Sequence, residues 1–421
     1  MGMTVTEKIL AKHAGRNKAE PGELINARVD LVYANDSTGD LAIDQFKRAG
    51  LKEIFDANRV MFIADHFIPP KDVACAEQSK RVRLFSREVG LSTFLEVGRV
   101  GIEHVLLPEL GLIKPGDLVV GADSHTCTLG ALGVFASGIG STDMAAVMAK
   151  GELWFKVPET MKLIYKGTPR RWISGKDLIL YTIGQIGVQG ARYKAMEFWG
   201  EAVEALSLDD RFTMANMAIE AGAKNGIFHV DRKTLEFLKP RVKNHYEVVS
   251  SDPDAHYADV IEFDVSKISY QVALPYSPGN VKPVSDLGRI EIDQVVIGCC
   301  TNGRIEDMRV AARIMKGKET NHRVRTIIIP GSQEIYLQAL QEGLIETFVR
   351  AKAAVSLPTC GPCFGGHMGI LAEGEKALAT TNRNFVGRMG HKTSEVYLAS
   401  PAVAAATAIS GYISTPEEVI S

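Results

Sequence analysis

The chain has 421 residues, which is long enough for two or three domains of ordinary size. Its 48 basic and 50 acidic side chains give a formal net charge of -2, which offers no overall positive field for a nucleic-acid backbone. No apolar run reaches the ~18 residues of a membrane-spanning helix, and the first residues follow a polar helical pattern. We therefore expect a folded cytoplasmic protein whose partners include neither nucleic acid nor a membrane.

Five short apolar runs, rich in β-branched residues, end in polar or glycine-rich turns, and helical patterns follow them. This order is typical of strand–loop–helix units. Because open α/β sheets bind ligands beyond the carboxyl ends of their strands, we expect the polar residues that end these runs to share one site. The runs are VDLVYANDST (29–38), RVMFIADH (59–66), DLVVGADSH (117–125), QVVIGCCTNG (294–303) and AAVSLPTCGPC (353–363).

Between the third and fourth runs, the sequence predicts a helix, a strand and two boundaries. GIGSTDMAAVMAKGELWF (138–155) has a helical pattern whose first turn Ser141 or Thr142 could cap, and the strand MKLIYKG follows it. Pro158 and the connection 274–288, which carries Pro and Gly, are typical of boundaries. We therefore expect three α/β domains, at 1–160, 161–284 and 285–421.

The six cysteines are too sparse for a disulfide scaffold and point to metal or redox chemistry. Cys360-Gly-Pro-Cys363 brings two thiols to one centre, since Gly-Pro permits a tight turn. Cys299 and Cys300 are adjacent at the end of an extended run, where successive side chains face opposite ways, so one of them is expected to complete the site. Three thiolates suit a zinc ion completed by a histidine such as His367, or a cluster with one iron free of protein ligands. The spacing alone does not decide between these two, a redox disulfide and plain buried thiols.

Seven short motifs resemble those of the aconitase superfamily, in the family's order and over nearly the whole chain. The resemblance implies one [4Fe-4S] cluster per chain, ligated by Cys300, Cys360 and Cys363, with one iron lacking a cysteine ligand. Cys299 stands where relatives commonly have a serine or another small residue, so we expect it to be a packing residue. The motifs are ADH (64–66), GIEH (101–104), ADSHT (122–126), NMAIEAG (216–222), GCCTNGR (298–304), CGPC (360–363) and NRNFVGR (382–388).

The resemblance also assigns the groups that handle protons. His66 would protonate the departing hydroxyl, with Asp65 holding the imidazole oriented and protonated. Taken alone, such pairs are weak signals, because an aspartate beside a histidine or serine commonly caps a turn. The remaining acid–imidazole pairs are expected from His104, Asp123, Ser124, His125 and Glu220.

Asparagine and arginine side chains complete the expected site. Asn216 lies four residues before Glu220 and would share its helix face, from which it would contact the cluster, as would Asn382. Arg383 and Arg388 would bind a substrate carboxylate, whose planar oxygens suit forked donors.

The fold implied is α/β, with three doubly wound domains around a shared cluster cleft and without the swivelling fourth domain of single-chain aconitases. We therefore expect a separate small subunit that supplies this domain and a serine base. Isopropylmalate isomerases, homoaconitases and dimethylmalate dehydratases share this two-chain organisation, and among their small hydroxy-acid substrates we favour 2-isopropylmalate. Asn35 and Thr128 stand where aconitase has glutamine and asparagine, so neither supports citrate chemistry. A zinc-stabilised binding protein and an RNA-binding relative without a cluster are the non-catalytic alternatives.

Overall fold

The computed structural model describes residues 2–99 and 101–420. The first part of the chain builds a parallel sheet with helices on both sides. Its elements are α1 (Val5–His13), β1 (Leu24–Arg28), β2 (Leu31–Asn35), α2 (Asp36–Arg48), β3 (Val60–Ile63), α3 (Val73–Glu88), β4 (Phe94–Leu95), α4 (Glu103–Glu109), β5 (Leu118–Gly121), β6 (Phe135–Gly138), α5 (Ser141–Lys150) and β7 (Glu152–Lys156). Five of the strands form a parallel sheet in the order β4-β3-β2-β5-β6, while β1 pairs antiparallel with β7 outside it.

The middle part forms a second parallel sheet. Its elements are β8 (Thr160–Lys166), α6 (Gly175–Ile186), β9 (Ala195–Trp199), α7 (Glu201–Ala205), α8 (Leu208–Met217), β10 (Asn225–Phe228), α9 (Arg232–Leu238) and β11 (Asp259–Asp264). The strand order is β10-β9-β8-β11, and every pair is parallel. The predicted strand MKLIYKG is β8.

The last part forms a seven-stranded sheet. Its elements are β12 (Gln271–Ala273), β13 (Val281–Pro283), β14 (Gln294–Gly298), α10 (Cys299–Asn302), α11 (Ile305–Met315), β15 (Arg325–Ile329), α12 (Gln333–Gln341), α13 (Leu344–Arg350), β16 (Ala354–Val355), β17 (Lys376–Ala379), β18 (Glu395–Leu398), α14 (Pro401–Ser410) and α15 (Pro416–Val419). The strand order is β13-β12-β18-β17-β14-β15-β16, and among the described strands of this sheet the antiparallel pairs are those of β12 with β13 and with β18.

The five predicted strands are β2, β3, β5, β14 and β16. The first four are buried at every residue, as parallel strands covered by helices on both faces should be. The α/β fold with its mostly parallel sheets is therefore confirmed. The domain boundaries stay a prediction, but β12 and β13 pair within the third sheet, so a boundary before residue 271 fits the sheets better than one at 284.

The helix expected over 138–155 is shorter than predicted. It is α5, which ends at Gly151, a residue with φ +70° that closes the helix, and the following residues form β7. No side chain caps its first turn, so the caps predicted from Ser141 or Thr142 are wrong. The run ELWFK alternates between exposed and buried residues because it pairs with β1, so the helical pattern predicted over these residues is wrong.

Among the residues that the structure describes, no helix is both long enough and apolar enough to cross a membrane.

Candidate functional site

Loops from the first and third sheets meet beyond the carboxyl ends of their strands. The backbone oxygen of Asp65, just after β3, accepts hydrogen bonds from the Cys360 amide at 2.8 Å and the Thr359 hydroxyl at 2.9 Å. Arg304, just after α10, donates to the backbone oxygens of Cys300 at 2.9 Å and His104 at 3.0 Å. The sheets therefore join at the residues that the motifs singled out.

Four buried thiols lie together at this junction. The sulfurs of Cys299, Cys360 and Cys363 all lie within 4.8 Å of one another, and the sulfur of Cys300 is 3.8 Å from that of Cys299. The expectation that Cys299 faces away from Cys300 is wrong. Cys299 has φ +74° and begins the single turn of α10, so the alternation of an extended strand ends one residue before it. Cys299 thus lies among the thiols, and all four belong to the buried core of the third sheet.

Two asparagine side chains approach the sulfur of Cys300. Nδ2 of Asn216 lies 3.2 Å from it and Nδ2 of Asn382 lies 3.3 Å from it. Asn382 also donates to the side-chain oxygen of Asn216 at 3.0 Å, and Asn216 donates to the Thr128 hydroxyl at 2.8 Å. Amide donors directed at a sulfur favour its thiolate form. The Asn216 and Asn382 amides therefore favour the thiolate form of Cys300.

Asp65 and His66 form a close pair beside the thiols. Nδ1 of His66 lies 2.5 Å from Oδ1 of Asp65, whose other oxygen accepts the Glu103 amide at 2.8 Å. Burial alone would lower the pKa of His66, but the Asp65 carboxylate and the Cys360 thiol outweigh burial, and this pKa stands well above its ordinary value. The pairing with Asp65 therefore favours the protonated form of the imidazole.

The Asp36 carboxylate fixes the turn that carries this pair. It accepts the backbone amides of Asp65 at 3.2 Å, His66 at 2.8 Å and Phe67 at 2.8 Å. Asp36 follows β2 directly and is buried. It belongs to the first apolar run, yet nothing in the sequence indicates that its carboxylate would accept hydrogen bonds from the backbone amides of a turn about thirty residues later.

A second set of histidines and carboxylates runs from Tyr33 in β2 to Glu220. Since α8 ends at Met217, Glu220 lies in the 3-10 turn Ala218–Ala221 and not on the same helix as Asn216, contrary to the prediction from their four-residue spacing. The Tyr33 hydroxyl lies 3.0 Å from Nδ1 of His104, and Nε2 of that ring lies 2.8 Å from Oδ1 of Asp123. Nδ1 of His125 lies 3.5 Å from the same oxygen, and its Nε2 lies 2.8 Å from Oε1 of Glu220. The predicted acid–imidazole pairs are thus brought together.

The pKa values in this set reflect competition between burial and paired charge. Burial would raise the pKa of Asp123, but hydrogen bonds with His104 and His125 hold it well below its usual value. Burial and the charge of Arg383 lower the pKa of His125, while Asp123 and Glu220 raise it, with a net result of about 9. The set therefore keeps a carboxylate charged and an imidazole protonated at neutral pH.

The two predicted arginines lie in different parts of the site: Arg383 contacts the second histidine–carboxylate set, and Arg388 approaches the thiols. Arg383 donates from Nε to Oε1 of Glu220 at 2.7 Å and from Nη1 to the Ser124 hydroxyl at 3.2 Å. Nη2 of Arg388 lies 3.8 Å from the sulfur of Cys363, and its Nε has no hydrogen-bond partner among the residues described. Each guanidinium keeps N–H groups that could bind a carboxylate.

Other residues singled out by the sequence lie outside the thiol group. His367, considered as a zinc ligand, has Nε2 3.1 Å from the Thr359 hydroxyl and is not part of the thiol group. Asn35 caps α2 and donates to Glu103 at 3.2 Å. Cys127 is buried, and its thiol donates to the backbone oxygen of Asn216 at 3.3 Å. These contacts give Asn35 and Cys127 structural roles.

The sequence profile of the Aconitase family (aconitate hydratase) matches residues 7–289 and 282–411. The chain belongs to the aconitase family.

Curated relatives match the chain from end to end. The "3-isopropylmalate dehydratase large subunit" of Moorella thermoacetica is 64% identical over 420 residues, covering 100% of both chains. The protein of the same name from Halothermothrix orenii is 60% identical over 420 residues with the same coverage, and "3-isopropylmalate dehydratase large subunit 1" of Pyrococcus furiosus is 58% identical over 421 residues, covering 100% of this chain and 99% of the relative.

Among solved structures, the holo-form of Thermococcus kodakaraensis aconitase X covers 90% of this chain and 89% of its own, with 14% identity and a TM-score of 0.49. That likeness is too low to bear on individual residues.

The donors at the junction fit the iron–sulfur cluster that the family implies. Thiolates are the usual ligands of such clusters, and every cysteine of the group is buried. Asparagine amides beside a sulfur and arginines nearby favour an anionic metal–thiolate group.

Proposed function

We propose that this chain is the large subunit of a 3-isopropylmalate dehydratase, a hydro-lyase of leucine biosynthesis that converts 2-isopropylmalate to 3-isopropylmalate. The observation that carries this proposal is the group of buried thiols with the Asp65–His66 pair on one side and a second histidine–carboxylate set nearby. The end-to-end identity with large subunits of that name supports the choice of substrate.

We assign Cys300, Cys360 and Cys363 as the ligands of one [4Fe-4S] cluster per chain, with one iron free of cysteine. The family supports these three, and the two amide donors at Cys300 favour it as a ligand over Cys299. When bound, such a cluster supplies a Lewis acid that draws charge from the substrate hydroxyl without net redox change. Asn216 and Asn382 hold the Cys300 sulfur in position.

His66 is the proposed acid for the departing hydroxyl. Its Nδ1 is taken by Asp65, so Nε2 is the nitrogen left to deliver a proton. Asp65 holds the ring in one orientation and keeps it charged between turnovers. Loss of hydroxide from a hydroxy acid needs such a donor, since hydroxide is a poor leaving group.

Arg383 and Arg388 are the proposed anchors for the substrate carboxylates. Both are planar donors with unused N–H groups, and Ser124 lies beside the first of them. His104, Asp123, His125 and Glu220 then hold protons and orient the oxygen atoms of the substrate. The buried location of this set excludes water from most of it.

A separate small subunit is the proposed partner, supplying the swivelling domain and the serine base that removes the carbon-bound proton. The relatives carry the words "large subunit" in their names, which supports a second chain. A cytoplasmic location belongs to the same proposal.

The test is anaerobic co-purification with the small subunit, reconstitution with iron and sulfide, and assay on isopropylmalate, homocitrate, citrate and dimethylmalate. We expect conversion of 2-isopropylmalate with the largest kcat/KM. A complex with full iron and sulfide that prefers homocitrate or dimethylmalate would replace this substrate with that of a homoaconitase or a dimethylmalate dehydratase. Conversion of none of the four would refute the hydroxy-acid assignment.

A further inference from the structure

Lys176 is a buried lysine that the proposed chemistry does not use. It lies in the first turn of α6 and is fully buried, and its Nζ donates to the backbone oxygens of Thr380 at 2.7 Å and Thr381 at 2.6 Å. These two residues connect β17 to Asn382 and Arg383. The lysine therefore ties the second sheet's first helix to the loop that carries two site residues.

The same loop is bonded to the turn that bears Cys299 and Cys300. The Thr380 hydroxyl accepts the Gly298 amide at 2.9 Å, and the Thr301 hydroxyl donates to the Thr380 oxygen at 2.7 Å. Gly298 and Thr301 flank the two cysteines directly. Lys176 and the turn that bears the two cysteines are therefore hydrogen-bonded to the same residue, Thr380.

No carboxylate forms an ion pair with Lys176 within the described parts of the chain, so its charge is balanced in another way. A buried ammonium without an anion is costly, and carbonyl oxygens neutralise only part of its charge. Burial lowers the pKa of Lys176 to about 8, and the groups that most oppose this fall are the thiols of Cys299, Cys300 and Cys363. The turn that bears Cys299 and Cys300 is bonded to the same Thr380 oxygen as Lys176, so a metal–thiolate group there would supply negative charge on this loop.

We propose that Lys176 is the positioning residue and counter-charge of the thiol-bound metal group, holding the 380–383 loop in place while its ammonium stabilises the negative charge on the thiolates. The proposal deepens the proposed function, because it rests on an anionic cluster at Cys300, Cys360 and Cys363. It predicts that removal of this one charge affects the cluster itself before it affects any substrate contact.

The test compares Lys176→Met, which removes the charge, with Lys176→Arg, which keeps it. Lys233→Met is the matched control, because Lys233 also donates only to backbone oxygens, those of Glu204, Ala205 and Leu206 at 2.7–2.8 Å, but is only half-buried and lies outside the thiol junction. Each holoprotein is titrated anaerobically with EPR detection to obtain the reduction potential of the cluster. The release of iron to a chelator is followed in parallel.

We expect Lys176→Met to shift the reduction potential to a more negative value, because a nearby positive charge favours the reduced cluster. Iron release should accelerate roughly 10–100-fold, the usual effect of losing a group that supports metal ligands. Lys176→Arg should restore most of the potential, and Lys233→Met should match the wild type. An unchanged potential in Lys176→Met would overturn the proposal.

Thermal unfolding distinguishes two roles of Lys176: a counter-charge for the cluster, and a clamp that acts only through its hydrogen bonds to Thr380 and Thr381. A clamp predicts that Lys176→Met lowers the unfolding temperature equally with and without the cluster. A counter-charge predicts a larger loss in the holoprotein, since the cluster-free chain is relieved of an unbalanced buried charge. Should Lys176→Met fail to fold, Lys176→Gln gives the same comparison, and equal losses in both forms would refute the counter-charge.

Failure of this inference is distinguishable from failure of the proposed function. A complex that holds the cluster but converts no hydroxy acid refutes the function and leaves the expected shift in potential intact. A wild-type chain that takes up neither iron nor sulfide refutes both.

Discussion

Replacement of Asp65 by asparagine should separate proton delivery from metal binding. The Asp65 carboxylate bonds Nδ1 of His66 at 2.5 Å and the Glu103 amide at 2.8 Å. The asparagine oxygen can keep the amide bond, which turns its NH₂ group toward the imidazole and makes the protonated ring unfavourable. Losing a hydrogen bond between charged groups costs about 1.5–3 kcal/mol, and this loss lowers the pKa of His66 from its raised value.

Turnover should fall about 10²–10⁴-fold, the usual contribution of general acid catalysis, while the iron content stays near that of the wild type. Iron should be kept because the bond from the Cys360 amide goes to the backbone oxygen of Asp65, which the substitution does not alter. The measurements are kcat of the reconstituted complex, its pH profile, and iron and sulfide per chain.

Asp30→Asn is the matched control. Asp30 forms a similar pair with His13, at 2.6 Å, and also accepts the Leu118 amide at 2.9 Å. It should lose comparable stability and keep its turnover. Wild-type turnover in Asp65→Asn, or loss of iron in step with turnover, would refute the role given to this carboxylate.

Three further predictions test the metal ligands, the second histidine set and the pH dependence of folding. Cys300→Ser should lose most of its iron while Cys299→Ser keeps it, as measured by iron analysis after anaerobic reconstitution; the reverse order would make Cys299 the ligand. Glu220→Gln removes a carboxylate that raises the pKa of His125 to about 9, so the alkaline limit of turnover, expected where this proton is lost, should move to lower pH in a pH–rate profile; an unmoved limit would exclude this imidazole. Burial and a neighbouring carboxylate raise the pKa of Asp117 to about 7, so its contribution to stability is full below its unfolded value and is lost as the pH rises through 7. Asp117→Asn should therefore raise the free energy of unfolding at pH 8 by about 2–4 kcal/mol and change it little at pH 4, as followed by denaturant titration; an equal gain at both pH values would contradict this cause.

The parts of the site that follow directly from strand ends could be predicted from the sequence. Asp65 and His66 end the second apolar run, and Asp123 to His125 end the third. Parallel strands place such residues along one edge of a sheet, so their meeting follows from topology. The family resemblance supplied the roles, which the apolar pattern alone left open.

The remaining contacts depend on tertiary packing, which local patterns do not contain. The two-residue period of a strand predicts that Cys299 faces away from Cys300, but the strand ends at Gly298 and Cys299 has a positive φ. Asp36 and Lys176 contact backbone groups far along the chain, and a lone aspartate or lysine has no local signal for such a partner. Backbone acceptors and donors are present at every residue, so the sequence does not mark the ones that are used.

The acid and the thiols are joined through one residue. The side chain of Asp65 orients His66, while its backbone oxygen receives the Cys360 amide and the Thr359 hydroxyl. Movement of the loop that carries Cys360 would therefore displace the backbone carbonyl of Asp65, the residue that orients the His66 imidazole. Because both bonds are buried, water is a poor substitute for either of them. It follows that loss of metal from the thiols should also disturb the imidazole, whereas a change confined to the imidazole should leave the metal in place.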